Sequence, residues 1–133
     1  MKIPSNVANL FDNTPLVAFA TADKAGMPNV VCVLWKKISS DGNILLLDNY
    51  MNTTRANVKD NPNVCVSFWN IETEEAYKVK GTAIYHTSGP VFDEGKAFIQ
   101  SKKPGRVPKG VIEITATKIY SITPGPEAGK QIA

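Results

Sequence analysis

A chain of 133 residues with 43% hydrophobic and 20% charged side chains has the composition of a folded protein with a sizeable core, which excludes a disordered one. Its formal charge of +3 is too small and too dispersed to argue for nucleic acid. No apolar run approaches the ~20 residues of a membrane helix, and MKIPSNVANLFDN at the start lacks the apolar stretch of a signal peptide, so the expected location is the cytoplasm.

Taken in chain order, Asn6–Asp12 reads as a short helix with Ser5 as its cap. Pro15–Ala22 and Asn29–Ile38 read as strands, with turn residues from Lys24 to Pro28 between them. Val30–Trp35 is almost continuously apolar, the pattern of a central strand covered on both faces. Asp41-Gly42-Asn43 turns the chain into Ile44–Leu47, an unbroken apolar run suited to a buried strand. A polar loop with Asp48, Asn49 and Asn52 then leads to helical Thr53–Lys59. Pro62 ends that helix, because it has no N–H and its ring clashes with the preceding turn. Val64–Trp69 is the next strand.

Tyr77–Tyr85 alternates, with Tyr77, Val79, Ala83 and Tyr85 on one side and Lys78, Lys80 and Thr82 on the other. Gly81 within it marks a bulge or a close backbone approach. Val91–Ser101 is helical. Lys102-Lys103-Pro104-Gly105-Arg106, the most basic stretch, reads as an exposed, solvated loop, since Pro and Gly prevent a stable helix. Lys109–Ile122 is a long final strand, and the Pro/Gly-rich tail from Thr123 is either frayed or docked across a neighbouring chain. The fold expected for residues 1–133 is therefore one mainly β domain, a six-stranded antiparallel barrel with two or three short peripheral helices.

The chemistry-bearing residues exclude several mechanisms. Cys32 and Cys65 each lie inside an apolar run and read as small buried hydrophobes. No paired-cysteine zinc motif exists, and the single histidine, His86, ends a strand-like run with no nucleophile elbow to accompany it. No metal site is expected, and any chemistry would come from an organic cofactor. One segment points to where it would bind. A helix reached from a strand through Asn52, Thr53 and Thr54 leaves backbone N–H groups free at its start, beside hydroxyls and Arg55. Those donors suit a phosphate; an ordinary capped helix is the plain alternative.

The order of these motifs resembles the FMN-binding split barrels of the pyridoxamine 5'-phosphate oxidase-like superfamily, and most of all its small single-domain FMN-binding proteins. The resemblance rests on Pro28 leading into a long strand, Ile44–Leu47 followed by Asp48-Asn49, and Thr54–Val58 followed by Asn61-Pro62-Asn63-Val64. It rests also on Lys80-Gly81-Thr82-Ala83 and Gly89-Pro90-Val91-Phe92. It implies a Greek-key split barrel that binds FMN and serves as a flavin-dependent oxidoreductase. The isoalloxazine ring would lie against Cys32, Val33, Leu34 and Trp35, with Asp48 and Asn49 near the flavin and Asn52, Thr53 and Thr54 at the phosphate. Many relatives carry a basic pair, or Lys-Thr, where this chain has Thr53-Thr54, and Arg55 comes one position later. Lys37 matches a lysine that oxidase members place near the substrate phosphate.

The resemblance further implies a homodimer with flavin at the subunit interface, which exposed Phe68, Trp69, Tyr77 and Tyr85 would help to form. The electron donor would be a nicotinamide or a protein. For the basic loop at 102–106, the functional alternative to a solvated loop is a flap over the flavin or a docking site for an acidic redox partner. The alternatives are a non-catalytic FMN electron carrier, or a split barrel that binds F420, haem or no cofactor.

Overall fold

In the computed structural model, which describes residues 1–133, the elements run α1 (Ser5–Asn13), β1 (Val17–Ala22), β2 (Pro28–Val33), β3 (Lys36–Ile38), β4 (Ile44–Asp48), α2 (Thr53–Asp60), β5 (Asn63–Trp69), β6 (Ala76–His86), α3 (Pro90–Lys102) and β7 (Gly110–Ser121). All seven strands join one antiparallel sheet in the order β2-β1-β5-β6-β7-β4-β3. β2 and β3 are consecutive in the chain yet occupy opposite edges. Only Leu34 and Trp35 separate them, a reach of roughly 10 Å, so the sheet must curl until its edges meet there. No ladder joins those edges, which leaves the barrel split.

The strand count differs from the expected six because Asn29–Ile38 breaks at this point. Up to Val33 the segment pairs with β1; from Lys36 it pairs with β4. The Trp35 carbonyl already accepts the Leu47 N–H, at 3.0 Å, so the change of partner is complete within two residues. The apolar run Val30–Trp35 accordingly belongs to an edge strand and its exit, and not to a strand covered on both faces.

β4 is the strand that is covered twice. Ile44 and Leu46 point into the main core with Val17, Phe19, Val66, Val79, Ile112 and Ile114. Leu45 and Leu47 point outward, where Ile99 of α3 and Val111 of β7 cover them. An unbroken apolar run suits that double burial. α3 sits close because Gly95 faces Val111, and any side chain there would collide with the valine.

Helix α1 has Pro4 as its N-cap, without a side-chain cap bond, and Ser5 is its first helical residue instead of the expected cap. Its apolar face fixes it: Val7, Leu10 and Phe11 are buried, and the Phe11 ring meets Phe68 edge-on at 5.3 Å. On β6 the register shifts between Lys80 and Gly81, and a Cβ on Gly81 would strike the Thr115 carbonyl. Bulge and close approach therefore coincide.

The tail neither frays nor leaves the chain. It turns back along β7, with Ser121 N–H donating to the Lys130 carbonyl at 3.0 Å and Ile119 N–H to the Ala133 carbonyl at 2.9 Å. No helix is long and apolar enough to cross a membrane.

Candidate functional site

β2 pairs on one side only, with β1, so the backbone groups of its other edge face the split. Its outward side chains are also uncovered: Val30 is 63% exposed and Cys32 lies open, which corrects the expectation of a buried thiol. Leu34, at the exit of the strand, is 53% exposed. Apolar side chains on an unpaired edge are a liability in water unless something covers them. Beside this edge opens a cleft of about 380 Å³. Its walls are the 31–35 run, Leu47, Asn49, Tyr50, Met51 and Arg106. Trp35 also packs against the Leu45–Ile99 cluster, so it is both core and wall.

Past Met51, the last wall residue of this segment, the chain enters α2. This helix has Asn52 at its N-cap position but no side-chain cap bond. Its first internal bond runs from Ala56 N–H to the Asn52 carbonyl, 3.1 Å, so the N–H groups of Thr53, Thr54 and Arg55 have no acceptor within the chain. Asn52 and Thr53 are exposed, whereas Thr54 is buried. The Thr54 hydroxyl accepts from Asn29 Nδ2 at 3.0 Å. Thr21 Oγ1 accepts from both Asn29 and Asn57, at 3.2 and 3.0 Å. These bonds pin α2 to β1 and β2, fixing the open N–H groups relative to the free strand edge.

Asp48 lies beneath this region with its side chain fully buried. Oδ1 accepts from Met51 N–H at 2.8 Å, and Oδ2 accepts from Arg55 Nε at 2.8 Å and from the Tyr85 hydroxyl at 2.6 Å. Burial pushes the carboxyl up, but the bonds from Arg55, Tyr85 and Met51 outweigh it and hold the group below the usual carboxylate range. Arg55 also donates from Nη2 to the Met51 carbonyl.

Thus Cys32, Val33, Leu34, Trp35 and Asn49 lie on the cleft, whereas Asn52, Thr53, Thr54 and Arg55 are not among its walls and follow Met51 into the first turn of α2. Lys37 stands apart: its ammonium pairs with Glu94 of α3 at 2.8 Å. Glu94 also accepts from Ser40 N–H at 3.1 Å. Tyr50 and Met51 line the cleft without having been singled out in the sequence, and Arg106 brings the basic loop, read there mainly as solvated, onto the cleft wall. For Arg106 the signal was present, since a basic loop with Pro and Gly is a common place for binding residues. For Tyr50 and Met51 it was their place between the Asp48-Asn49 pair and the helix.

The family pattern described as pyridoxamine 5'-phosphate oxidase matches residues 3–123. The chain belongs to the pyridoxamine 5'-phosphate oxidase-like family. Within it, the chain is 35% identical to an uncharacterized protein of Methanocaldococcus jannaschii, over 100% of this chain and 89% of that protein. Its structure is similar to HupZ of Group A Streptococcus, with a TM-score of 0.82, 28% identity, and 96% of this chain and 99% of that one covered. More distant structures share the fold alone. They include an FMN-binding protein of Syntrophomonas wolfei at 16% identity and TM-score 0.70, covering 86% and 82% of the two chains. The haem storage protein HutZ of Vibrio cholerae (13%, TM-score 0.72) and an F420 reductase (17%, TM-score 0.66) have it too. The family fold therefore hosts more than one cofactor.

Proposed function

We propose that this protein binds FMN in the cleft along β2 and acts as a flavin-dependent oxidoreductase. The observation that carries the reading is an unpaired apolar strand edge tied, through the Asn29–Thr54 hydrogen bond, to a helix start with three unpartnered N–H groups. A planar, mostly apolar ring with a hydrogen-bonding rim fits the first, and a phosphate fits the second. The residues present fit the group: eight of the ten lining residues are hydrophobic, and the polar two are Asn49 and Arg106. Bound flavin supplies hydride or electron transfer, while the protein holds and tunes it. Here Cys32–Trp35 would meet the ring, Asn49 its polar rim, and Thr53, Thr54 and Arg55 the phosphate. His86, the sole histidine, bonds Glu113 at 2.9 Å and does not line the cleft, which favours flavin over a haem held by histidine.

The reading includes a homodimer. Across β2, β1 and β5 the outward rows are Val30–Ala20–Cys65 and Cys32–Ala18–Ser67, partly or fully exposed and without a charge. Such a face suits a second copy, and a cleft at the lower end of the ~300–1,000 Å³ of ligand pockets suits completion by one. The aromatic residues do less than expected: Phe68 and Tyr77 are buried within the barrel, and of that group only Trp69 is well exposed. Oxidation of pyridoxamine phosphate is not included, because Lys37 is taken by Glu94.

The test is titration of the purified protein with FMN and with riboflavin, followed by absorbance near ~375 and ~450 nm, bands that belong to the cofactor. FMN should bind more tightly than riboflavin. Replacing Arg55 with Ala should weaken FMN roughly ten- to a hundredfold, the worth of a charge-assisted contact, and riboflavin far less. Protein that takes up neither flavin would end this reading. Steady oxidation of a reduced nicotinamide supports an enzyme, whereas reduction without turnover supports an electron carrier.

A further inference from the structure

We propose that Asp48 is the positioning residue of the phosphate end of this site, acting through Arg55 and the 49–52 loop, with Tyr85 and Gly110 holding it in place; the proposal rests on the flavin reading above. A buried carboxylate is tolerable only when paired and fully hydrogen-bonded. Here each acceptor bond also does something to the site. Oδ1, through Met51 N–H at 2.8 Å, sets the turn that places Asn49 and Met51 on the cleft wall. Oδ2, through Arg55 Nε at 2.8 Å, fixes the guanidinium of a residue in the first turn of α2, the turn that carries the open N–H groups. One side chain thus ties the wall of the ring cleft to the phosphate end in a single geometry.

Arg55 can take this bond and still serve an anion. A guanidinium has five N–H donors in a fixed fork. Nε goes to Asp48 and Nη2 to the Met51 carbonyl, while Nη1 has no partner within the chain. Without Asp48 the side chain would be free to sweep several rotamers, and ordering it on binding would cost affinity.

The second support comes from across the sheet. Tyr85 of β6 reaches over β7 to donate to Asp48 Oδ2 at 2.6 Å. It can do so only because Gly110, register partner of Asp48, has no side chain: a Cβ there would lie within the Tyr85 ring. Lys59 of α2 covers the same ring, with Nζ 4.9 Å from its centroid. β4, β6, β7 and α2 therefore converge on one carboxylate. Nothing in the 48–55 segment alone signals this, because Tyr85 and Gly110 are remote in the chain.

The experiment measures FMN and riboflavin affinities for Asp48→Asn, Tyr85→Phe and Gly110→Ala, with circular dichroism to establish that each is folded. Asp48→Asn should weaken FMN on the order of tenfold or more, the scale of a charge-assisted bond, and riboflavin by less than about threefold. Tyr85→Phe and Gly110→Ala should lower the FMN-to-riboflavin preference in the same direction by several-fold. In an Arg55→Ala background Asp48→Asn should add little, since it acts through that arginine. Equal losses for the two flavins, or full additivity with Arg55→Ala, would overturn the positioning role while leaving the flavin reading intact. If Asp48→Asn does not fold, the milder Tyr85→Phe decides by the same ratio. Wild-type protein that binds neither flavin would end both.

Discussion

Tyr85 shows how one hydroxyl couples the site to pH. Burial and the hydrogen bond to Asp48 push its phenol up to about 12 from the ordinary 10. A group raised on folding contributes stability that is complete below its unfolded value and is lost as pH climbs through the folded one. Thermal melts should therefore fall more steeply between pH 10 and about 12 for wild type than for Tyr85→Phe, which has no proton to lose; parallel slopes would refute the assignment. Asp48 works at the other end, because its carboxyl is held below the ordinary value. That contribution is present above the unfolded pKa and disappears as acid protonates the folded carboxylate. At this scale the sequence was informative about types and poor about partners. Asp48 and Arg55 stood out as near the site, but a pair closed by Tyr85 and Gly110 depends on strand register that no local pattern encodes.

Among the elements, β6 carries the sharpest constraint. Gly81 sits where the ladder slips by a residue and where the Thr115 carbonyl occupies the place of a side chain. Gly81→Ala must push β7 away or close the bulge, and should destabilise by about 1–3 kcal/mol, read as a lowered denaturant midpoint. An unchanged midpoint would mean the bulge relaxes freely. Glycine inside an alternating strand was readable in advance, as were the helices at Thr53 and Val91 and the buried β4, although coverage on both faces was read into Val30–Trp35 instead. The break at Leu34–Trp35 was not, because an apolar run continues through it while the pairing partner changes. For the same reason exposed Cys32 read as core: hydrophobicity cannot distinguish covering by the chain itself from covering by a ligand or a second copy.

For the molecule as a whole, the uncharged β2-β1-β5 face makes a direct prediction. Light scattering should give about twice the chain's 14.4 kDa, and Val30→Lys, which places a charge on the β2 edge of that face, should return the monomer mass and loosen flavin together. A dimer unaffected by Val30→Lys would move the interface elsewhere. The barrel class was legible because strands outnumber helices and turns are short; the self-docked tail was not, since Pro and Gly mark only where regular structure stops.

The two-residue link between opposite edges also bears on how the chain reaches its native state. β1 with β2, β3 with β4, and β5 with β6 pair locally and β6 meets β7 across α3, whereas β1 to β5 and β4 to β7 join segments more distant in sequence. Such distant pairings ordinarily slow folding, because long loops must close before contacts reward them. Here the penalties are not independent. Once β1 docks on β5, the Leu34–Trp35 tether keeps the β3-β4 hairpin close to the curling sheet, so its pairing with β7 completes a short search and not a second long one.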